Sequence, residues 1–338
     1  MKTNGLPLRE TRPRISVVVP TLRRAELLRR CLDGLIAQRV DPEAFEIVVV
    51  DEGHEDRVRE LVLGIALWIR APQIRYLRPT HGRGLAGARN RGWRAAKGAL
   101  IAFTEDDTIP APDWLEAGAR AFDSNRQWVA VSGDVPELEQ NESRPPIDRT
   151  GTSPGLELTE FVTANAFVWR AALEAINGFD ERFTRAMRAD SDLQFRLLTQ
   201  VGQVGYCAEA RVVRPVPDQP WEVCLREQRN TYFDALLYKK HPRLYRERIR
   251  SRPPWDYYLI VALVLIGPAL LIVGMDEPAL GCALAVLALV GRLAGKRLRR
   301  KHYSLRSLLQ MLATSAMIPF LSVYWRVRGA LRFKVLFL

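Results

Sequence analysis

The sequence predicts an α/β domain with a mostly parallel sheet and helices on both of its faces, followed by helices that enter a membrane. Three observations lead to this prediction. Short apolar runs alternate with amphipathic segments from residue 15 to about residue 215. Acidic residues follow two of these apolar runs, and the last third of the chain contains long stretches without charge.

The first half of the domain alternates strand and helix. Ile15–Val19 and Phe45–Val50 are short, mostly β-branched apolar runs, which predict two buried strands. Glu26–Gln38 places apolar residues at helical spacing and predicts an amphipathic helix, and Glu55–Ile69 predicts a second one. Because helices separate the strands, neighbouring strands are expected to run parallel.

The same alternation continues through three further segments. Ile74–Leu77 predicts a short strand, Gly84–Lys97 a helix, and Leu100–Phe103 another buried strand. The last of these runs directly into the three consecutive acids of residues 105–107. Crowded carboxylates repel one another, so the cluster predicts a positive occupant, typically a divalent cation that bridges a diphosphate.

Acids follow two separate strands of this sheet. Asp51 and Glu52 come after the second strand, and Asp106 and Asp107 follow the fourth. Ligands of parallel α/β sheets bind beyond the carboxyl ends of the strands. The four carboxylates are therefore expected to converge on one site.

The composition narrows the range of partners. The chain has 338 residues and a formal net charge of +12, which favours an anionic partner. Lysine and arginine concentrate in 238–252 and 292–306, beside apolar runs, an arrangement that favours lipid headgroups over nucleic acid. Four scattered cysteines predict reduced thiols, with neither a zinc site nor a disulfide framework.

The C-terminal third predicts membrane helices. Residues 257–275 carry no charge and are long enough to span a bilayer, and 278–295 spans with help from its flanks. Arginines precede the first run and basic residues follow the second, so both ends of this hairpin are expected in the cytosol. The third apolar run, 307–325, is either an interfacial or re-entrant segment or a third span.

These segments predict four regions of the chain. Residues 1–14 form a tail, 15–220 a catalytic domain, 221–256 basic juxtamembrane helices, and 257–338 the membrane region. The apolar run that opens the domain is too short for a signal-peptide core. We therefore expect a multi-pass protein of the cell (inner) membrane whose catalytic domain faces the cytoplasm.

Four motifs together resemble a known family. Val17–Thr21, Glu46–Gly53, Gly87–Gly92 and Phe103–Asp107 are similar, in order and spacing, to successive blocks of the family 2 glycosyltransferases. The resemblance implies the GT-A fold, a Rossmann-like sheet. It also implies an enzyme that moves a sugar, with inversion, from a UDP-, GDP- or dTDP-linked donor.

The resemblance implies a role for particular residues. The donor-binding positions are Pro20, Thr21, Asp51, Glu52, Arg83, Asn90 and Asp106. Asp107, together with Asp106, stands at the metal position, and Mg²⁺ or Mn²⁺ suits such oxygen ligands. Apart from the resemblance, His81, Arg83 and Arg89 lie in and just after a glycine-bearing loop. A guanidinium group there either grips the diphosphate or belongs to a surface-exposed arginine or a helix N-terminal turn. For Asp51 a helix N-cap is the structural alternative.

The later blocks concern the acceptor. Asp190 stands where the family has its catalytic base, although Ala189 replaces the usual Glu, and a helix N-cap is again the alternative. The positions expected on the acceptor side are Asn165, Trp169 and Asp192. A lipid-linked or cell-envelope glycan acceptor is expected, because the domain precedes membrane segments.

Two other functions stay open. A sugar nucleotidyltransferase also places acids with metal at strand ends, although it normally has a glycine-rich N-terminal loop where this chain has Pro20-Thr21. A non-catalytic membrane scaffold with a degenerate nucleotide site is the third possibility. Ala189 and Glu52 are the departures that favour it.

Overall fold

The computed structural model describes residues 14–68, 71–79, 84–138, 161–185, 187–215, 222–297 and 305–337. Within these ranges, the residues up to Pro215 form one unit and those from Glu222 onward form a second. Arg83, one of the predicted donor contacts, lies outside the described residues.

Four parallel strands form the first half of the sheet in the first unit. They are β1 (Ile15–Thr21), β2 (Phe45–Asp51), β3 (Gln73–Leu77) and β4 (Leu100–Thr104). They lie in the order β3-β2-β1-β4. Every residue of β1, β2 and β4 is buried, as expected for strands covered on both faces. The parallel sheet predicted from the alternation of strand and helix is confirmed.

The described residues add five strands to this sheet. They are β5 (Ile109–Pro110), β6 (Trp128–Asp134), β7 (Glu137–Leu138), β8 (Asn165–Trp169) and β9 (Gln203–Pro215). β8 runs antiparallel between β4 and β6, and the long β9 pairs with β5, β6 and β7. The sheet therefore continues past β4 with a change of strand direction.

Helices cover both faces of the sheet, as predicted. They are α1 (Ala25–Ile36), α2 (Asp56–Ala66), α3 (Gly84–Ala95), α4 (Trp114–Ser124), α5 (Arg170–Ala175) and α6 (Ala189–Gln200). Val17 and Val19 of β1 belong to a core shared with α1, α2 and α4. Val18 points to the other face, because a Cβ at Gly92 of α3 would collide with it.

Short helices begin the second unit. They are α7 (Val223–Glu227), a 3₁₀ turn at Gln228–Phe233, α8 (Asp234–Lys240), α9 (Pro242–Leu244) and a π-type turn at Tyr245–Ile249. Tyr238, Tyr245 and Phe337 form an aromatic cluster with ring centroids 5.3–5.6 Å apart. The predicted juxtamembrane segment is thus helical and packs through its aromatic side chains.

Among the residues that the structure describes, three helices are long and apolar enough to cross a membrane, and they complete the second unit. They are α10 (Trp255–Ile272), α11 (Asp276–Arg297) and α12 (Leu305–Phe333). α12 is one continuous helix that runs past the predicted end of the third segment. It does so because its arginines are accommodated: Arg326 pairs with Asp234 and Arg328 lies over the Trp325 ring.

Candidate active site

The ends of β1, β2 and β4 meet at one edge of the sheet, and the two acidic segments come together there. Thr21, the last residue of β1, lies beside Asp51 in the register between β1 and β2. The Thr21 hydroxyl donates a 2.8 Å hydrogen bond to Oδ2 of Asp106. A residue of the strand between them therefore links the two acidic segments, as the parallel topology predicts.

Asp106 and Asp107 differ in how tightly the protein holds them. Asp106 is buried, and burial raises the pKa of its carboxyl group, although the Thr21 bond and the Arg24 guanidinium oppose this effect. The oxygens of Asp107 have only long contacts, 3.3 Å to Nε of Arg214 and 3.6 Å to Nη1 of Arg24. Of the two aspartates, Asp107 is thus the one whose carboxylate oxygens are better able to bind a metal ion.

Glu105 lies between two guanidinium groups. Its Oε1 accepts from Nη2 of Arg89 at 2.8 Å, and its Oε2 accepts from Nη2 of Arg214 at 2.6 Å. Burial raises the pKa of the Glu105 carboxyl group, while both arginines act in the opposite direction. Glu105 therefore serves as an anchor for two cations.

Arg89 connects this cluster with Asp190. It is completely buried on α3, with Nη2 on Glu105 and Nη1 3.2 Å from Oδ1 of Asp190. The sequence left either a diphosphate contact or a surface position open for Arg89, and in the structure the side chain is buried with both terminal nitrogens on carboxylates. The result is an alternation of charge from Asp190 through Arg89 and Glu105 to Arg214.

Asp190 lies in the first turn of α6 and is held from two sides. Besides Arg89, it accepts 2.6 Å and 3.1 Å hydrogen bonds from the hydroxyl and the backbone N–H of Thr163. Arg188, with a left-handed φ of 72°, is the residue that caps α6. The structure therefore assigns the N-cap position to Arg188 rather than to Asp190. The Asp190 carboxylate is oriented by Thr163 and Arg89.

Asp51 is bound within its own loop. Oδ1 accepts from the N–H groups of Gly53 and His54, and Oδ2 accepts from the N–H of Glu55 and from the Tyr76 hydroxyl. Burial and the bond to Asp51 raise the pKa of Tyr76 to about 12. Asp51 therefore organises the loop before α2, although Glu55 is the N-cap residue. Its contact with the donor stays a prediction.

Glu52 and Asn90 are two further residues that the sequence predicts to bind the donor. Glu52 is half-buried, and burial raises the pKa of its carboxyl group against the guanidinium groups of Arg91 and Arg89. The Asn90 amide is buried and bonds to the backbone of Phe179 through both its nitrogen and its oxygen. Asn90 thus joins α3 to the turn before α6, and donor contacts at both positions stay predictions.

The three residues expected on the acceptor side do not present their side chains to the acidic cluster. Trp169 pairs with Leu100 at the start of β4, the end of the strand opposite to the acids, and stacks on Phe122. Asp192 is fully buried and accepts 2.8 Å from Nε of Arg196. Burial and strand direction thus correct the acceptor-side assignment of these two residues.

Asn165 is the third of these residues, and its contacts are structural. It is fully buried, accepts 2.8 Å from the Trp114 indole, and donates 2.7 Å bonds to the carbonyl groups of Asp134 and Ala210. Burial corrects the assignment here as well. Asn165 connects α4, β6 and β9 within the core.

This assignment of Asn165 can be tested. Asn165→Ala leaves the Trp114 N–H and two carbonyl groups without their partner, and each such buried group costs about 1–3 kcal/mol. We expect the free energy of unfolding in urea to fall by about 3 kcal/mol, with an unchanged acceptor KM for the folded fraction. Asn125→Ala, in a surface turn, is the control. A raised acceptor KM with normal stability would restore Asn165 to the acceptor side.

The acidic residues fit a metal site that substrate oxygens and water complete better than a site enclosed by protein ligands alone. No three His, Cys, Asp or Glu side chains of the described ranges lie close enough to enclose a cation. Mg²⁺ and Mn²⁺ are commonly held by one or two carboxylates, with phosphate oxygens and water completing the shell. Asp107, whose protein contacts are long, suits that role, and Asp106 offers Oδ1 beside it.

Two contacts of this site have no signal in the sequence. Arg24 and Arg214 reach the carboxylates from segments that carry no motif of their own. Their residue types are too common at surfaces and strand ends to be singled out. Only the packing of distant segments identifies them.

Comparison with known proteins finds that the first unit is similar to a group of enzymes. The family described as glycosyl transferase family 2 matches residues 16–176. A validoxylamine A glucosyltransferase of Streptomyces hygroscopicus subsp. limoneus is 31% identical over 219 residues, covering 55% of this chain and 48% of the relative. Glycosyltransferase AglE of Haloferax volcanii is 26% identical over 176 residues, covering 50% of this chain and 57% of the relative. The chain thus spans about half the length of the curated relatives it matches.

A solved structure shares the fold over most of the chain. It is the mannosyltransferase PcManGT from Pyrobaculum calidifontis, in complex with GDP-Man and Mn²⁺. The two superpose with a TM-score of 0.56 and 22% identity, over 94% of this chain and 84% of that one. At 22% identity, this structural similarity establishes only that the two proteins share a fold.

Proposed function

Residues 16–176 form a glycosyltransferase family 2 domain, and from this premise we propose that the protein is an inverting, metal-dependent glycosyltransferase. It moves a sugar from a nucleotide-diphosphate donor to a hydroxyl group of a lipid-linked or cell-envelope glycan. The observation that supports this proposal best is Asp190, a carboxylate positioned by Thr163 and Arg89 beside the acidic strand end. An inverting transfer needs one base and no covalent intermediate, which suits this arrangement.

The proposed reaction is a single displacement. Asp190 accepts the proton of the acceptor hydroxyl as its oxygen attacks the anomeric carbon, and the bond from that carbon to the diphosphate oxygen breaks. Asp107 and Asp106 would hold Mg²⁺ or Mn²⁺, which when bound supplies positive charge to the departing diphosphate. Arg24 and Arg214, already beside Asp107, add guanidinium groups at the same place.

The choice of donor and metal rests on the site and on its similarity to other proteins. The acidic cluster follows strand ends at which nucleotide ligands of α/β sheets bind. The similar fold of PcManGT holds GDP-Man and Mn²⁺, which is in keeping with a nucleotide-sugar donor and a divalent cation here.

The location we propose is a cell membrane, with the catalytic domain in the cytoplasm. Three apolar helices are long enough to cross a bilayer. Basic residues precede α10 and lie in the last turn of α11, whereas the first turn of α11, at the other end of the hairpin, carries the acids Asp276 and Glu277. By the positive-inside rule both ends of the hairpin face the cytosol.

One assay separates the three possible functions. The full chain in detergent is incubated with a panel of UDP-, GDP- and dTDP-sugars and, in a parallel series, with nucleoside triphosphates and sugar 1-phosphates. Each incubation contains Mg²⁺, Mn²⁺ or EDTA, and the released products are identified. We expect a free nucleoside diphosphate from one donor class, in the presence of metal only. Release of pyrophosphate from nucleoside triphosphate and sugar phosphate would indicate a nucleotidyltransferase, and no release under any condition would indicate a scaffold.

The metal assignment predicts the behaviour of Asp107→Asn. Loss of the carboxylate charge should weaken Mn²⁺ binding at least tenfold and abolish transfer, because Asp107 is the acid with free coordination capacity. Paramagnetic resonance of Mn²⁺ in the presence of nucleoside diphosphate measures binding without turnover. Asp113→Asn, at the start of α4, is the control. Unchanged Mn²⁺ affinity in Asp107→Asn would remove this residue from the metal site.

A further inference from the structure

An arginine at the end of α11 is held by the protein on one side only. Arg297 lies in the last turn of α11, and its Nη1 donates hydrogen bonds of 2.8 Å to Oγ1 of Thr314 and 2.9 Å to Oγ of Ser315, both on α12. A longer contact of 3.5 Å reaches the carbonyl oxygen of Met311. Thr314 and Ser315 are almost completely buried. These bonds fix the guanidinium group between the two helices.

The other edge of this guanidinium group has no partner. Nε and Nη2 are both buried, and neither forms a hydrogen bond with any residue that the structure describes. These two nitrogens present parallel N–H groups, with which arginine binds two oxygens of a phosphate or a carboxylate at once. Buried donors normally have a partner, because leaving them unpaired is costly. Since Arg297 as a whole is only partly buried, its unpaired edge lies close to the protein surface, where a ligand can reach it.

Arg297 also lacks a counterion within the described ranges. On α12, by contrast, Arg326 lies 3.0 Å from the carboxylate of Asp234. The polar group that α7 places beside Arg297 is the Cys224 thiol, and burial raises the pKa of this thiol against the effect of the guanidinium group, so that it stays uncharged. A charge that is taken out of water without a counterion is costly. The site therefore favours an anion.

Apolar side chains border the site. Cys224 of α7 and Ile318 of α12 belong to one buried cluster, and Leu293 packs against it. Leu293 stands one turn before Arg297 on α11, and Ile318 stands one turn after Thr314 on α12. Basic pockets between apolar helices, at the end of those helices, are places where lipid headgroups bind.

We propose that Arg297 binds a phosphate group through its Nε and Nη2 edge, while Thr314 and Ser315 hold the guanidinium group in position. The apolar border favours a phosphate that is carried by a lipid. Free inorganic phosphate is the other source of the same group, and the two sources are separated by experiment.

Binding is measured by native mass spectrometry on the full chain in dodecyl maltoside micelles. The probes are dioleoyl phosphatidic acid, dioleoyl phosphatidylcholine and inorganic phosphate. We expect phosphatidic acid to bind at a stoichiometry of one and at least tenfold more tightly than inorganic phosphate, which identifies a lipid as the source. Equal affinities for these two probes would identify free phosphate instead. Phosphatidylcholine that binds as tightly as phosphatidic acid would overturn the proposal, because choline neutralises its phosphate charge.

Variants of Arg297 test the bidentate edge. Arg297→Met is expected to weaken phosphatidic acid binding at least tenfold, and Arg297→Lys, which keeps the charge but not the paired N–H groups, about fivefold. Ser315→Ala keeps the guanidinium group but removes one of its supports, and a loss of about threefold is expected. Arg292→Gln, a partly exposed position on the same helix, is the matched control and should stay within twofold.

Thermal unfolding separates ligand binding from a structural role. Without lipid, Arg297→Met should keep or raise the Tm, because it removes a buried charge that has no counterion. Phosphatidic acid should raise the Tm of the wild type and leave that of Arg297→Met unchanged.

The contrary outcomes are equally distinct. Unchanged phosphatidic acid affinity in Arg297→Met would overturn the proposal, and so would equal losses in Arg297→Lys, Ser315→Ala and Arg292→Gln, which would indicate non-specific attraction. None of these measurements involves sugar transfer, so the result does not depend on the proposed enzymatic function.

Discussion

Asp190→Asn is expected to lower kcat about a thousandfold, since a positioned general base contributes about 10²–10⁴-fold. The side-chain shape is kept, and the amide oxygen still accepts from the Thr163 hydroxyl that orients the carboxylate. What is lost is the negative charge that takes the acceptor proton. Donor binding should change little, because Asp190 acts on the acceptor.

Stability must be measured beside turnover for this variant. The amide introduced by the substitution bonds Arg89 less strongly than the carboxylate does, so we expect the free energy of unfolding to fall by about 1–2 kcal/mol. Asp33→Asn, an exposed acid on α1, is the matched control and should keep full activity. A purified, folded Asp190→Asn enzyme with less than a tenfold loss of kcat would exclude Asp190 as the base.

Arg89→Met is expected to have the largest effect on stability. Arg89 is completely buried and binds both Glu105 and Asp190, so its removal leaves the buried Asp190 carboxylate without a cation and the partly buried Glu105 with Arg214 alone. Removing one partner of a buried ion pair typically costs about 3–5 kcal/mol. Urea unfolding should show a loss of this size, and transfer should be abolished because Asp190 loses an orienting contact.

A positional role for Arg89 is distinguished from a purely structural one by Arg89→Lys. Lysine keeps the positive charge but cannot bind two carboxylates with separate nitrogens. It should therefore recover much of the stability and little of kcat. Arg94→Met, a partly exposed position on the same helix, should be nearly neutral in both measurements. Recovery of kcat in parallel with stability would show that Arg89 supports the fold only.

The elements of the first unit could be predicted because they follow local patterns. The strand expected at Phe45–Val50 forms at Phe45–Asp51, and the helix expected at Glu26–Gln38 forms at Ala25–Ile36. The predicted ends of the helices were less accurate than the prediction that a helix forms. α2 stops at Ala66 rather than at residue 69, because apolar periodicity alone does not fix where a helix ends.

The carboxylates could be located from the sequence because acids after buried strands are unusual and parallel strands end at one edge. The residues that bind these carboxylates could not be predicted from the sequence. For Arg89 the sequence left a diphosphate contact or a surface position open, whereas the structure buries it between Glu105 and Asp190. Asp190 and Thr163 lie 27 residues apart in the chain and meet only through packing. Contacts of this kind leave no periodic signature.

The order of strands and helices, the acidic edge of the sheet and the apolar C-terminal helices were determined by the sequence alone, since each depends on residues close together in the chain. The tertiary structure decided which charges meet. It joined Asp190 to Glu105 through Arg89, placed Trp169 opposite the start of β4, away from the acids, and paired Arg326 with Asp234. The physical reason is range: burial patterns and propensities act over a few residues, whereas ion pairs and hydrogen bonds require the distances that only the folded chain sets.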